Sequence, residues 1–198
     1  MSDKFANKYR ITSSRLKNWD YSSESAYFIT ICTAGRDCLF GSISTGVMNY
    51  SAIGKIVLEE WEKSFVIRAE LFCDAFMIMP NHLHAILRIE KNNAIAVQTH
   101  GCASLSTTHP ISPQTYGCAS LPNYGIAFRP PKSISSFVAG FKSSAKKRVN
   151  QYRQLPGMIL WQNRFHDHII RNDAEYQRIL EYIEKNPKHW DSDIHHNP

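Results

Sequence analysis

No stretch of about 18 consecutive apolar residues occurs in the sequence, which excludes a conventional membrane-spanning helix. The first residues, MSDKFANKYR, lack the apolar core of a secretion signal, so the expected location is the cytoplasm. The five cysteines include no CxxC pair and are odd in number. This pattern predicts reduced thiols rather than a disulfide framework.

The composition is that of an ordinary globular protein with an excess of positive charge. Of the 198 residues, 43% are hydrophobic and 20% are charged, which suits one domain with a real core. The formal net charge is +6 and the pI is about 9.1. An excess of this sign favours a polyanionic partner such as nucleic acid, although many basic proteins bind none.

Hydrophobic patterning predicts a chain in which strands and helices are mixed. Strands are indicated by β-branched and aromatic runs, and helices by apolar spacing near 3.6 residues. The predicted strands lie at 27–32, 72–79, 83–89 and within 158–170. The predicted helices cover 51–66, 133–152 and 172–186. This order predicts an α+β fold in which helices pack on an antiparallel sheet.

The segment 91–131 differs in composition from the rest of the chain. It is rich in Thr, Ser, Pro, Asn and Gly, and it contains the near-repeat THGCASL and TYGCASL, at 99–105 and 115–121. Two copies are too few to build a repeat fold. We expect a single domain over 1–198 that is interrupted here by a flexible insertion, with a folded module as the alternative. The cysteines and histidines of the segment match no standard zinc spacing.

Two histidine pairs of the form His-x-His could carry chemistry. His82 and His84 begin a predicted strand, where residues two apart point to the same face, and could hold one divalent cation. Taken alone, such a pair is more often structural. His166 and His168 have the same spacing, so periodicity cannot choose between the pairs. The histidines at 195–196 lie in a tail that we expect to be frayed.

The predicted last helix has one apolar stripe, formed by Tyr176, Ile179, Leu180 and Ile183. At 100° per residue, Tyr182 lies about 60° off the edge of this stripe, and Asn186 lies one turn beyond Tyr182 on the same flank. The helix therefore presents a phenol and an amide beside its buried side. The simpler interpretation is a boundary tyrosine, followed by an asparagine before a proline stop.

The predicted helix at 133–152 has basic residues around its apolar stripe. They are Lys142, Lys146, Lys147 and Arg148. Such a face can be solvated, which is the more common case for any one helix, or it can contact phosphates.

Several of these segments together resemble one protein family. They are RLKNWDYSSESAYFITICT (15–33), MPNHLH (79–84), FKSSAKKRVN (141–150), WQNRFHDHIIR (161–171) and EYQRILEYIEKNP (175–187). In this order they are similar to the IS200/IS605-like transposases of the HUH class, and within it to the REP-associated tyrosine transposases. The resemblance covers most of the chain except 91–131, and dispersed motifs in order are far more specific than one histidine pair.

The resemblance implies a fold, a reaction and a site. The fold is a ferredoxin-like or RRM-like palm with a tyrosine-bearing helix at its C-terminal end. The reaction is the cleavage and transfer of single-stranded or hairpin DNA through a 5′-phosphotyrosine. Matched by position, Tyr182 is the nucleophile, His82 and His84 are ligands of Mg²⁺ or Mn²⁺, and Asn186 is a third, amide ligand. His168 supports the site or the fold.

Alternatives stay open beside this interpretation. A derivative that binds structured DNA without cutting is one, and a phosphodiesterase that uses water instead of Tyr182 is another. A pure binder has no need for the two histidines, the tyrosine and the asparagine together. The expected DNA-contacting residues are Lys142, Lys146, Lys147, Arg148, Arg164 and Arg171. Both a monomer and a homodimer are compatible with the sequence.

Overall fold

The computed structural model describes residues 4–5, 8–9, 16, 18–68, 70–90 and 132–195. The strands are β1 (Lys4–Phe5), β2 (Lys8–Tyr9), β3 (Ser25–Cys32), β4 (Gly41–Ser44), β5 (Val47–Tyr50), β6 (Leu71–Ile78), β7 (His82–Ile89) and β8 (His166–Ile170). The helices are α1 (Ala52–Val66), α2 (Ile134–Arg153) and α3 (Asp173–Lys185), with 3-10 turns at Ala34–Arg36 and Asn186–Ser192. The predicted insertion at 91–131, with its cysteines and histidines, lies outside the described residues.

Four strands form the central sheet, in the order β6-β7-β3-β8. Every neighbouring pair is antiparallel: β3 pairs with both β7 and β8, and β6 pairs with β7. The expectation of an α+β fold with helices on an antiparallel sheet is therefore confirmed. The predicted strands and helices all occur, with small differences at their ends.

Alternation along the strands gives the sheet two buried faces. On one face, Tyr27, Ile29 and Ile31 of β3 join the main hydrophobic core with residues of α1 and α2. On the other face, Ile86 and Ile170 pack against Ile183 of α3. Helix α3 therefore covers the face opposite to α1 and α2, and the molecule has three layers.

Each long helix begins at a residue that caps its first turn. The side chains of Ser51, Ser133 and Asn172 accept hydrogen bonds from backbone N–H groups two or three residues into α1, α2 and α3. Such caps satisfy donors that have no partner within the helix, so these three positions fix where the helices start. At the other end of α2, Gln154 adopts a left-handed conformation and stops the helix.

Several elements differ from expectation, among them the short strand pair β1–β2, which was not predicted. The hairpin of β4 and β5 was not expected, because its strands are four residues each and its turn, at Thr45 and Gly46, interrupts any periodicity. The strand predicted within 158–170 is confined to its last five residues. Before it, Trp161 forms an isolated bridge to Thr33, and the carbonyls of 162–164 accept hydrogen bonds from Lys142 of α2.

Among the residues that the structure describes, no helix is both long and apolar enough to cross a bilayer.

Two helical glycines should respond in opposite ways to a methyl group. A Cβ at Gly54 would lie 2.1 Å from the backbone oxygen of Phe40, whereas a Cβ at Gly140 would meet no atom within 4 Å. We expect Gly54→Ala to lower the free energy of unfolding by about 1–3 kcal/mol because of overpacking. Gly140→Ala should raise it by about 0.5–1 kcal/mol, since alanine favours helix. Urea denaturation measures both, and equal effects would contradict the packing of α1.

Candidate metal and nucleophile site

The imidazoles of His82 and His84 lie side by side on the face of the sheet that α3 covers. Both side chains are buried, with exposed fractions of 0% and 1%. Their Nε2 atoms are 3.0 Å apart. Strand alternation explains why both rings point the same way, and the register of β7 against β3 and β6 fixes their height on the sheet.

The outer nitrogen of each ring has a hydrogen-bond partner. His82 Nδ1 lies 2.8 Å from Asn81 Oδ1, and His84 Nδ1 lies 2.8 Å from the Thr30 hydroxyl. These contacts leave the two Nε2 atoms facing each other and orient both rings. Such outer partners are typical of metal-binding histidines, since they fix ring orientation and tautomer.

Burial keeps both imidazoles neutral. It lowers the pKa of His82 to about 3, with the neighbouring His195 as the next cause. Burial also lowers the pKa of His84 well below its ordinary value, and the His82 ring adds to this effect. A neutral imidazole has a lone pair on one ring nitrogen, which is the form that binds a metal ion.

Tyr182 reaches the histidine pair from α3. Its hydroxyl lies 3.2 Å from His84 Nε2 and 3.5 Å from Asp193 Oδ2. The edge of its ring packs against Phe28, whose own ring stacks on His84. Burial and then the Asp193 carboxylate raise the pKa of the phenol to about 12. The side chain is nevertheless 40% exposed, so a large molecule can reach it.

Asn186 and Asp193 complete the group of polar side chains. Asn186 Nδ2 donates to Asp193 Oδ2 over 3.0 Å. Asn186 Oδ1 is buried and has no hydrogen-bond partner among the described residues. A buried amide oxygen in this position is costly unless something binds it. The 3-10 turn at Asn186–Ser192 brings the chain back over the histidines and so delivers Asp193.

These atoms fit a divalent cation. Ligand atoms of His82, His84 and Asp193 all lie within 4.8 Å of one another. Two ligands that bind one cation at about 2.1 Å and at right angles are about 3.0 Å apart, which matches the Nε2 separation. The unpartnered oxygen of Asn186 is a neutral oxygen of the kind that hard cations accept as a ligand. The structure is therefore compatible with a divalent metal at this position.

Sequence reasoning missed Asp193 and was wrong about His195. The His195 ring lies 4.6 Å from the His82 ring, centroid to centroid, and its backbone N–H donates to Asp193 Oδ1 over 2.6 Å. The described part of the tail is thus packed on the site rather than frayed. The sequence feature that could have predicted a packed tail is Trp190, a large apolar residue, whose side chain is only 8% exposed. His196 lies outside the described residues.

The second histidine pair serves a different purpose. His168 Nε2 lies 2.8 Å from Glu175 Oε1, and the other oxygen of Glu175 accepts the backbone N–H of Arg171. This contact ties the end of β8 to the first turn of α3, which agrees with the supporting role expected for His168. His166 is exposed and contacts the edge of Phe28.

The structure distributes the expected DNA-contacting residues around the molecule. Arg148 pairs with Glu59 and Glu60 of α1, at 2.7 and 2.9 Å, so it holds two helices together. Lys142 binds backbone carbonyls of the loop before β8. Three of the expected DNA-contacting residues are exposed: Lys147 on α2, Arg164 before β8 and Arg171 after β8. Lys146 on α2 is half-buried. None of the six touches the histidine pair in the described contacts.

Comparison with solved structures defines the fold. A REP-associated tyrosine transposase bound to a REP hairpin superposes on 90% of this chain and 74% of its own, with a TM-score of 0.54 and 17% identity. The protein therefore has the fold of a REP-associated tyrosine transposase, as the resemblance implied. A Deinococcus radiodurans protein named as a candidate transposase covers 87% of this chain and 96% of its own, at 13% identity and a TM-score of 0.41.

Sequence comparison defines the family. No family model matches the chain. An uncharacterized protein of Haemophilus influenzae is 34% identical over 179 residues, which are 90% of this chain and 89% of that protein. The chain belongs to the same family as this Haemophilus protein.

Binding of a cation between the two histidines should stabilise the fold. At a Mn²⁺ concentration 100-fold above Kd, the stabilisation is about 2.7 kcal/mol, which thermal unfolding detects as a higher midpoint. We expect His84→Phe to abolish this shift, because the variant keeps a ring of similar size but has no Nε2. The matched control is His168→Phe, which should keep the shift. Equal Mn²⁺ shifts in the wild-type protein and His84→Phe would place the cation elsewhere.

Proposed function

We propose that the protein is a metal-dependent endonuclease and strand transferase of single-stranded DNA, which acts at hairpin or palindromic sequences through Tyr182. The observation that carries this proposal is the 3.2 Å contact between the Tyr182 hydroxyl and His84 Nε2. It joins the candidate nucleophile to His84, one of the candidate metal ligands His82, His84 and Asn186. The REP hairpin held by the transposase of the same fold supports hairpin DNA as the partner.

The proposed reaction stores the energy of a phosphodiester bond in a tyrosine ester. The Tyr182 oxygen attacks the phosphorus, the bond from phosphorus to the 3′ oxygen breaks, and the 5′ phosphate stays on the enzyme. The leaving 3′ oxygen takes up a proton and becomes a 3′ hydroxyl. Attack by another 3′ hydroxyl reverses these bond changes and joins two DNA strands.

The raised pKa of Tyr182 means that its proton must leave during the attack. Asp193 Oδ2, 3.5 Å from the phenol oxygen, is the carboxylate oxygen that can accept this proton. A divalent ion held by His82, His84 and Asn186 would polarise the scissile phosphate and offset its developing charge. Nitrogen and oxygen ligands together suit Mn²⁺, and Mg²⁺ where phosphate and water oxygens complete the shell.

A cavity lies beside Tyr182. Its volume is about 430 Å³, and Tyr182 and Asp193 are among its lining residues. Arg178 and Lys185 also line it, together with Glu181, which forms an ion pair with Lys185. The two cations of the lining are thus matched by two carboxylates, and the charge that favours a polyanionic partner is the net charge of the chain.

The second candidate function is binding of structured DNA without cleavage. The ion pair of Arg148 and the carbonyl contacts of Lys142 show that part of the basic surface serves the fold. The joint burial of His82 and His84, with their Nε2 atoms 3.0 Å apart and that of His84 facing the Tyr182 hydroxyl, favours the enzyme, because a binding protein gains nothing from that arrangement. A phosphodiesterase that activates water at the same ion would leave Tyr182 without a chemical role.

Replacement of the Tyr182 hydroxyl should abolish the covalent intermediate. We expect wild-type protein, incubated with a labelled single-stranded DNA hairpin and Mn²⁺ or Mg²⁺, to form an adduct that survives denaturing electrophoresis. Tyr182→Phe should form none, although it still binds the hairpin, because it cannot make the ester. The matched control is Tyr176→Phe, on the same helix as Tyr182, which loses only the hydrogen bond to Asp74 of β6 and should still form the adduct. Unchanged cleavage by Tyr182→Phe would favour activated water.

The basic residues should separate into DNA contacts and fold contacts. Replacement of Lys147 or Arg171 by alanine should reduce the slope of log affinity against log salt by about 0.7–0.9 for each phosphate that the variant no longer binds. The thermal midpoint of these variants should stay unchanged, since both side chains are exposed. Arg148→Ala should instead lower the midpoint, because Glu59 and Glu60 lose their partner. If neither Lys147 nor Arg171 affects the slope, DNA uses a different surface.

A further inference from the structure

The side-chain amide of Asn81 makes contacts with three separate parts of the chain. Asn81 lies in the turn between β6 and β7 and is 1% exposed. Its Nδ2 donates to the backbone oxygens of Arg36, over 3.0 Å, and His195, over 2.7 Å. Its Oδ1 faces His82 Nδ1 at 2.8 Å. All the hydrogen-bonding groups of this amide are therefore used, and one of them acts on a candidate metal ligand.

These contacts determine which way the amide points. A carbonyl oxygen only accepts hydrogen bonds, so the atom of Asn81 between the two backbone oxygens must be the nitrogen. A rotated amide would place its oxygen against both carbonyls. The oxygen of Asn81 therefore faces His82, and because this oxygen only accepts, His82 Nδ1 must carry the ring proton. The lone pair of His82 is thus on Nε2, toward His84.

We propose that Asn81 is a positioning residue of the metal site, which fixes the tautomer and ring orientation of His82. The proposal rests on the proposed function only in that His82 is taken as a ligand of the metal. The tautomer itself follows from the hydrogen bonds of the Asn81 amide. Asn81 does not touch the substrate or the reacting atoms, and it acts only through His82.

Thr30 does not fix His84 in the same way. A hydroxyl can donate or accept, so the Thr30 contact is satisfied by either tautomer of His84. Of the two histidines, His82 is therefore the one whose tautomer is fixed by its outer partner.

The same amide connects His82 to the tail and to the turn after β3. Arg36 adopts a left-handed conformation, with φ of 62°, at the end of the turn Ala34–Arg36. Its guanidinium also donates to the backbone oxygen of Ile194 over 3.2 Å. The two carbonyls that hold Asn81 therefore come from segments that bind each other. The orientation of His82 depends on both segments being in place.

Nuclear magnetic resonance of the ring nitrogens, by long-range ¹H–¹⁵N correlation, tests the tautomer directly in the metal-free full chain. We expect His82 in the Nδ1–H form in wild-type protein, with its signals assigned by their disappearance in His82→Gln. Asn81→Leu should give a mixture of tautomers at His82. Thr30→Val, the matched control, should leave His82 in the Nδ1–H form. His82 in the Nε2–H form in wild-type protein would overturn the proposal.

Mn²⁺ affinity, measured by electron paramagnetic resonance of the free ion, tests whether the fixed orientation of the His82 ring strengthens metal binding. We expect Asn81→Leu to weaken Mn²⁺ binding by about 10–100-fold. Thr33→Val removes a buried hydrogen bond to the backbone oxygen of Asn81 but keeps the Asn81 amide, so it should stay within about tenfold of wild type, which a general loosening of this turn would not allow. Unchanged affinity in folded Asn81→Leu, or an equal decrease in both variants, would contradict the proposal. If Asn81→Leu does not fold, the wild-type tautomer decides.

The two measurements separate this inference from the proposed function. A wild-type protein that binds no Mn²⁺ but has His82 in the Nδ1–H form would refute the metal site and retain the role of Asn81 in fixing the ring. A wild-type protein that binds Mn²⁺ with His82 in the other tautomer would retain the metal site and refute the role of Asn81.

Discussion

Two neutral imidazoles, buried with their Nε2 atoms 3.0 Å apart, are the feature on which the rest of the site depends. Polar nitrogens in such a position are costly unless a partner satisfies them. Asn81 and Thr30 satisfy the outer nitrogens, and the inner ones point into the space that Tyr182, Asn186 and Asp193 border. Packing alone does not explain the two facing imidazoles, because a pair of apolar side chains would fill this part of the sheet without needing hydrogen-bond partners.

The three-layer fold brings the other groups to this pair. Helices α1 and α2 supply the main hydrophobic core on one face of the sheet, which leaves the opposite face for α3. Ile183 anchors α3, and the neighbouring Tyr182 then projects at the edge of the buried stripe. Pro187 begins a 3-10 turn instead of a longer helix, and this turn returns the chain to the site. Stability and chemistry therefore use different sides of the same sheet.

Much of this arrangement could be predicted because it depends on local periodicity. Alternation in β7 places His82 and His84 on one face, and the helical repeat places Asn186 one turn beyond Tyr182. Which histidine pair lies beside Tyr182 could not be predicted from alternation, because both pairs have the same spacing. The structure distinguishes them by contacts between distant segments: Glu175 binds His168, whereas Tyr182 approaches His84.

The parts that sequence reasoning missed depend on the path of the chain through space. Asp193 lies beyond the last helix, where no helical or strand repeat predicts which way its side chain points. The β4–β5 hairpin is too short to show a clear alternation. The sequence pattern predicts that Arg148 and Lys142 belong to a basic surface. In the structure, Arg148 forms an ion pair with α1, and Lys142 donates hydrogen bonds to the loop before β8. Such pairings join residues far apart in sequence, which hydrophobic patterns do not report.

Pulsed electron paramagnetic resonance of the Mn²⁺-loaded protein tests the central claim most directly, because it detects nitrogen nuclei bound to the ion. We expect modulation from two imidazole nitrogens in wild-type protein, and from one imidazole nitrogen after replacement of either His82 or His84. A bound Mn²⁺ ion without imidazole modulation would show that the histidine pair is structural, and the proposed catalytic centre would then be wrong.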